Sequence, residues 1–298
     1  MSFKSGFVTI VGRPNTGKST LINQIIGEKL VIISDKPQTT RNVIRIILTD
    51  ENSQLIFLDT PGIHKPRTKL GEYMVDIAKD TLKGVDAVVF LTDDFRGEIG
   101  PGDRHIIEQL KAVKTPVILA INKIDTVPKE NILKVIDVYR KEMEFSEVVP
   151  ISALTGEGVS RLVSLLRGLM PEGPMYYPQD YVTDQPERQI AAEYIREKIL
   201  NLIRDEIPHG TGVEIITFKE REEKDLIDIQ ADIYCEKESH KKIIIGKSGS
   251  MLKKIGTEAR VDLEALLGCK VNLQLFVKVR ENWRNSITVM DALGYRKK

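Results

Sequence analysis

Cysteine is nearly absent: two residues in 298, Cys235 and Cys269, are too few for a disulfide framework and point to a reducing compartment. No apolar run approaches the roughly 18 to 20 residues of a membrane span. The start, Met1 to Ile10, is too short and too soon interrupted by Gly12 and Arg13 for a signal peptide. Neither sign of charge dominates, since 44 basic residues face 43 acidic ones for a net +1, which excludes a uniformly basic or acidic protein. Internal repeats and low-complexity tracts are lacking as well. What is present is an apolar content of 41%, enough for a buried core in each of about two domains of roughly 100 to 200 residues. A soluble, cytoplasmic, two-domain protein is expected.

The first half alternates short β-branched runs (Thr9 to Val11, Leu55 to Leu58, Val85 to Leu91, Val117 to Ile121, Val148 to Ile151) with segments of helical spacing such as Met74, Ile77, Ala78 and Leu82. That order predicts an α/β domain over residues 1–170, a mostly parallel sheet with helices on both faces. Residues 171–184 carry Pro171, Pro174 and Pro178 among Tyr176, Tyr177 and Tyr181, and read as an extended proline-rich linker. Residues 185–298 follow another order. An amphipathic helix from Glu187 to Ile207 presents Ile190, Tyr194, Ile195, Ile199, Leu202 and Ile203 and is stopped by Pro208 and Gly210. Strands Val213 to Lys219 and Leu226 to Tyr234 follow, then a short helix to Ile245, a helix from Ser250 to Leu267 and a strand from Lys270 to Arg280.

Charge is partitioned along the chain. Residues 1–183 hold 23 basic and 23 acidic side chains, residues 184–238 hold 8 against 15, and residues 239–298 hold 13 against 5. The last sixty residues therefore form a basic module.

Gly12-Arg13-Pro14-Asn15-Thr16-Gly17-Lys18-Ser19 matches the phosphate-binding pattern G-x-x-x-x-G-K-S between a strand and the helix Thr20 to Ile26. Gly12 and Gly17 let the backbone curl so that consecutive N–H groups, with Thr20 just behind them, point at phosphate oxygens. Lys18 reaches the terminal phosphates and the Ser19 hydroxyl ligates Mg²⁺. Asp59-Thr60-Pro61-Gly62 follows the next strand, where the carboxylate can join the Mg²⁺ shell, directly or through water, and the Gly62 N–H can meet a γ-phosphate. Asn122-Lys123-Ile124-Asp125 selects the base: Asp125 accepts from guanine N1–H and N2–H₂, Asn122 reaches the purine N7/O6 edge and the Lys123 stem lies along the ring. Ser152-Ala153-Leu154 supplies the Ala153 N–H for guanine O6. The site is read as one for GTP and GDP.

This set resembles the Ras-like GTPases, in particular the Era family of translation-factor-related small GTPases. Pro37-Gln38-Thr39-Thr40-Arg41 is similar to the family's first switch, where a γ-phosphate-dependent threonine ligates Mg²⁺. Thr40 is preferred, with Thr39 next to it, and spacing does not separate the two. Ile63 stands in the nucleotide site where Ras-like enzymes carry the glutamine that orients water, so slow intrinsic turnover is expected, with Lys18, Thr40 and Gly62 as the groups that carry hydrolysis. The resemblance also implies that Asn15 binds K⁺. His64 is read as a solvated switch-loop residue, and Arg13 as pointing to solvent.

Gly246-Lys247-Ser248-Gly249 between two helices, within the helix-strand-strand-helix-helix-strand order, resembles the G-x-x-G loop of a type II KH domain. Glycines there permit close approach to a nucleic-acid backbone, and Lys241, Lys242, Lys247, Lys253 and Lys254 supply positive charge to it. Trp283 and Phe276 are read as packing residues. The Era resemblance covers essentially the whole chain. It implies a monomeric, GTP-controlled RNA chaperone that binds the 3′ end of 16S ribosomal RNA and assists 30S subunit assembly, and a peripheral association with the inner face of the cell membrane. A tRNA-modification GTPase would need a further cofactor domain, for which the length leaves no room.

Overall fold

The computed structural model describes residues 2–34, 36, 39–62, 66–221 and 224–295. Two compact units account for the chain, Met1–Glu28 with Thr40–Pro66 and Met74–Asp184, and Lys29–Thr39 with Arg67–Tyr73 and Gln185–Lys298.

In the first unit the order is β1 (Lys4–Val11), α1 (Lys18–Ile26), β2 (Ile44–Thr49), β3 (Ser53–Asp59), α2 (Lys69–Asp80), β4 (Ala87–Thr92), α3 (Pro101–Leu110), β5 (Val117–Ile121), α4 (Lys129–Glu142), β6 (Glu147–Pro150) and α5 (Val159–Leu169). The opening turns of α2, to Tyr73, fold with the second unit. The sheet runs β2-β3-β1-β4-β5-β6, and only β2 is antiparallel to its neighbour. Strands β3, β4 and β5 are buried along their whole length, which is why their central residues, such as Leu55 to Leu58, read as apolar runs without alternation. β1 pairs in parallel with both β3 and β4, so the chain turns to opposite sides of the sheet at the carboxyl end of β1, where ligand crevices form in open α/β sheets. The strand β2, with sequence IRIILT, escapes the sequence reading because its burial is mixed and no turn motif announces it.

Residues 171–184 are extended but are tied down along their length. The Ser5 N–H donates to the Pro171 carbonyl (3.1 Å), the Gln54 amide to the Tyr177 carbonyl (2.9 Å) and the Ile47 N–H to the Val182 carbonyl (2.9 Å), while Arg45 pairs with Asp184 at 2.7 Å. The outer edge of β2 is thereby paired instead of exposed.

The second unit contains α6 (Glu187–Leu202), β7 (Gly212–Glu220), β8 (Leu226–Cys235), α7 (Glu238–Ile245), α8 (Ser250–Leu267), β9 (Lys270–Val279) and α9 (Ile287–Ala292). Its sheet is β7-β8-β9, antiparallel then parallel. The expected helix to Ile207 ends five residues sooner, at Leu202, because Ile203 turns extended (φ −104°, ψ 142°) and Pro208 starts a separate short turn. Nor is α6 buried on one face only. Arg196 and Glu197 are buried beside Ile195 and Ile199, because Lys29–Thr39 packs in the same unit. Trp283 has no exposed surface and donates its indole N–H to the Gly210 carbonyl at 2.8 Å.

Replacing Trp283 by phenylalanine should leave that buried carbonyl unpaired and destabilise the second unit by about 1–3 kcal/mol. Chemical denaturation should report the loss while nucleotide affinity stays unchanged.

Candidate functional site

The loop between β1 and α1 closes around one cation. Lys18 is 8% exposed, and its Nζ donates to the carbonyls of Gly12 (3.1 Å) and Arg13 (2.8 Å). Burial pushes its ammonium down to about 8, against the pull of the Asp59 carboxylate. The two glycines serve different needs. Gly17 has φ +96° and opens α1, so the helix's first N–H groups face the loop. Gly12 is required by space, since a Cβ there would stand 2.4 Å from the Leu91 carbonyl oxygen.

Oxygen ligands converge beside it. The Thr40 hydroxyl donates to Asp59 Oδ2 at 3.0 Å, and Ser19 Oγ lies 3.4 Å from both the Thr40 hydroxyl and that same carboxylate oxygen. One carboxylate and two hydroxyls at the loop's mouth fit Mg²⁺, a hard ion that takes few protein oxygens and keeps phosphate and water for the rest. Thr39 is not among them: its hydroxyl donates to the Lys36 carbonyl at 2.6 Å. Thr60 donates to the Ile10 carbonyl (3.1 Å), and Pro61 and Gly62 follow it, with Gly62 against Pro14. Ile63, His64, Pro37 and Gln38 lie outside the described residues.

On the base side the groups named from sequence also bond within the protein. Spacing assigns Asn122 to the purine edge and the Ala153 N–H to guanine O6, yet in the structure these groups bond to each other. Asn122 Nδ2 donates to the Thr16 carbonyl (2.7 Å) and Asn122 Oδ1 accepts the Ala153 N–H (2.9 Å). Asn122 is thus a brace joining three loops through one amide N–H and its carbonyl oxygen. Ser152 is fully buried and accepts the Thr155 N–H, whereas Leu154 is 74% exposed. Asp125 lies exposed on the short turn Ile124–Thr126, open to solvent. Lys123, at φ +65°, donates to the Asn15 carbonyl (3.0 Å) and pairs with Asp93 (2.7 Å).

Arg13 does not point to solvent. It pairs with Asp93 (2.8 Å) and with the fully buried Asp103 (2.9 Å), which also accepts from Thr92 (2.8 Å) and Tyr139 (2.6 Å). Burial and then the Asp103 carboxylate hold the Tyr139 phenol well above its ordinary value, so it stays a donor. Asp93, Asp103, Thr92 and Tyr139 were missed in the sequence. The Asp93-Asp94 pair just past a buried strand was the available signal.

In the second unit Gly246 (φ +75°), Ser248 (φ +51°) and Gly249 (φ +80°) turn the loop between α7 and α8. A groove of about 530 Å³ runs from Gly249 along α8 to β9, with Leu252, Leu273 and Leu275 as its apolar wall and Lys253 and Arg260 as its cations. Gly256 and Thr257 complete it. Of the basic residues chosen from sequence on the flanking helices, Lys253 lines this groove, whereas Lys241, Lys242 and Lys254 are not among its lining residues. Arg260 and Gly256 were missed, although a glycine inside a helical pattern is itself a sign of close approach.

Known proteins share both halves. The family of 50S ribosome-binding GTPases matches residues 7–123, and the KH domain family matches residues 206–284. GTPase Era of Alkaliphilus metalliredigens is 57% identical over 295 residues, covering 99% of this chain and 100% of its own, and that of Clostridioides difficile is 55% identical over 297 residues with the same coverage. A crystal structure of an Aquifex aeolicus Era variant bound to GDP·AlF₄⁻ superposes with a TM-score of 0.95 at 41% identity, over 99% of this chain and 100% of that one. Era in complex with MgGDPNP and nucleotides 1506–1542 of 16S ribosomal RNA superposes equally well, at 42% identity and with the same coverage.

Phosphate oxygens arriving at Lys18 should restore its proton. Nucleotide binding is therefore expected to take up little proton at pH 7 and an increasing share of one proton as pH rises through about 8. Calorimetry in buffers of differing ionisation heat reads this, and Lys18→Arg, which never deprotonates, should show none of it.

Proposed function

The chain belongs to the Era family of GTPases, which bind and hydrolyse GTP, and from that premise we propose that it binds the 3′ end of 16S ribosomal RNA through its KH groove and assists 30S subunit assembly under control of the bound nucleotide. The observation that carries this reading is the meeting of Thr40, Ser19 and Asp59 beside Lys18, in the same chain as a groove that pairs apolar walls with cations.

The roles follow from the geometry. Gly12 to Thr20 wrap the phosphates with backbone N–H groups, and Lys18 neutralises charge developing on the β- and γ-oxygens. Mg²⁺ would be held by Ser19, Thr40 and Asp59, and when bound it neutralises phosphate charge. Gly62 offers its N–H to the γ-phosphate. Asp125 carries the choice of guanine, because adenine lacks both matching donors and an unpaired carboxylate rejects it; Asn122 and Ala153 keep its loop in register with the phosphate loop. Isoleucine at position 63 has no group with which to orient water, so intrinsic hydrolysis is slow, and Asn15 is assigned to K⁺ at the phosphates. Arg13 is held by two carboxylates and serves the scaffold rather than the transition state.

On the RNA side, Gly246 to Gly249 approach the backbone, Lys247 and Lys253 with Arg260 meet phosphates, and Leu252, Leu273 and Leu275 face unstacked bases. Because the γ-phosphate engages Thr40 and Gly62, nucleotide state and RNA affinity are coupled, and by linkage RNA must tighten GTP by the factor with which GTP tightens RNA. The rRNA partner assigns the protein to the cytoplasm. Peripheral membrane contact belongs to the same family reading, and flotation with anionic vesicles tests it.

Lys18→Ala should abolish GTP hydrolysis with RNA binding by the nucleotide-free protein intact, and Gly246→Asp with Gly249→Asp should do the reverse; loss of both activities in either variant would refute the division. Neutralising Lys253 and Arg260 together should lower the slope of log affinity against log salt by about 1.4, at roughly 0.7 per contact with single strands. Exchanging K⁺ for Na⁺ should slow hydrolysis, and unchanged turnover would remove Asn15 from that role.

A further inference from the structure

Phe276 is a packing residue in the sequence reading, yet 47% of it is exposed. It lies on β9, an edge strand that pairs only with β8. The odd-numbered residues of β9 face the core of the second unit: Val271 and Val277 are buried in it, and Leu273, Leu275 and Val279 pack against it. Side chains alternate along a strand, so the even-numbered ones stand on the opposite, outer face. They are Lys270, Asn272, Gln274, Phe276, Lys278 and, just past the strand, Arg280, whose N–H still bonds the Cys235 carbonyl of β8 (2.8 Å). All six are exposed, and none is acidic.

The carboxylates that β7 and β8 bring to this face are each met by a donor. Asp228 accepts from Arg221 (2.6 Å) and Asn272 (2.7 Å), Asp232, opposite Phe276 in the register, pairs with Lys278, and Glu214 accepts from the Tyr234 hydroxyl (2.7 Å). What the face then presents is an aromatic ring with a cation to either side of it along the strand. Those are the two things a single-stranded nucleic acid is held by: a flat surface for a base and positive charge for the backbone. The face is also continuous with the groove of the same unit. Leu273 and Leu275 line that groove from the inner face of β9, and Phe276 is the next residue after Leu275, turned the other way. A strand that fills the groove and continues over β9 meets the Phe276 ring.

We propose that the outer face of β9 is a further RNA subsite, which takes the continuation of the strand held in the groove: Phe276 stacks on one base, and Lys270, Lys278 and Arg280 meet phosphates. A groove of the KH kind clamps about four nucleotides, so those beyond them are available to this face. Stacking accepts any base, since every base has a π-face, and the subsite therefore adds affinity for longer strands without adding sequence choice. The inference rests on the reading of the groove as the RNA site.

The experiment uses the full-length protein with a non-hydrolysable GTP analogue and Mg²⁺, and two probes: the last twelve nucleotides of 16S ribosomal RNA as a single strand, and the tetranucleotides nested within them. Phe276→Ala should weaken the twelve-mer about tenfold, the scale of one base–aromatic stack, and leave the best-bound tetranucleotide as it was. Phe276→Trp should keep the affinity, and its fluorescence should be quenched by the twelve-mer but not by the tetranucleotide, against a Trp283 with no exposed surface. Lys270→Gln with Arg280→Gln should lower the slope of log affinity against log salt by about 1.4 for the twelve-mer alone, at roughly 0.7 per contact with single strands. Twelve-mer affinity unmoved by Phe276→Ala, or equal weakening of both probes, would overturn the inference alone. Weaker binding to the small ribosomal subunit with twelve-mer affinity intact would give the face to a protein partner and overturn it as well. Should neutralising Lys253 and Arg260 leave both probes bound as before, the reading of the groove fails and the inference with it.

Discussion

A lysine ammonium at 8% exposure is tolerable only where fixed acceptors replace the water it has lost, and the nucleotide site is organised around that requirement. The carbonyls of Gly12 and Arg13 point inward at Lys18, and Asp59 supplies the opposing charge. Because a peptide unit is planar and trans, carbonyls that turn toward the lysine set the N–H groups of the same units facing the opposite way. The cation thus sets the shape of the loop around it. Gly12 must then lie against the Leu91 carbonyl, which no residue with a Cβ can do.

Around this centre the loops are locked to one another by side chains from distant parts of the chain. Asn122 joins the Thr16 carbonyl to the Ala153 N–H, and Asp93 joins Arg13 to Lys123. Beneath them Asp103, with no exposed surface, accepts from Arg13, Thr92 and Tyr139, so that its buried charge is met by three donors. A site braced in this way is held in fixed register before any ligand arrives, which is the condition for strong and selective binding.

The second unit uses backbone conformation for a similar end. In the loop after α7 a Cβ on Gly246 would stand 2.7 Å from that of Met251, while Gly249 has open space around it and is required for its φ of +80°. Gly246 answers to crowding as well as to its own φ of +75°, and Gly249 to the left-handed turn that starts α8. The groove beside them stays open because Gly256 carries no side chain to reach across toward Leu275, 3.5 Å from where its Cβ would be. Lys253 and Arg260 flank that gap on α8, and the apolar surface of Leu273 and Leu275 faces it from β9.

Much of this protein was legible in the order of its residues. The phosphate loop, Asp59 to Gly62, Asn122 to Asp125 and the loop at Gly246 are local motifs, each next to a strand or helix whose apolar period is itself local. The strands of the parallel sheet read clearly because burial on both faces leaves their central stretches, such as Leu55 to Leu58, apolar. Tertiary structure alone shows that Thr40, and not Thr39, bonds the Asp59 carboxylate nineteen residues away. It also showed that Asn122 ties the Thr16 loop to the Ala153 loop, that Arg13 is held by Asp93 and Asp103 from 80 and 90 residues off, and that Arg196 meets Thr39 across 157. It tied the proline-rich strap to the edge of β2 as well. The physical reason is the range of the interactions. Propensity, periodicity and loop chemistry act over a few residues and leave a signature in the sequence, whereas the pairing of a buried charge is a condition of low dielectric that any suitable group can meet, and only the folded chain shows which one does.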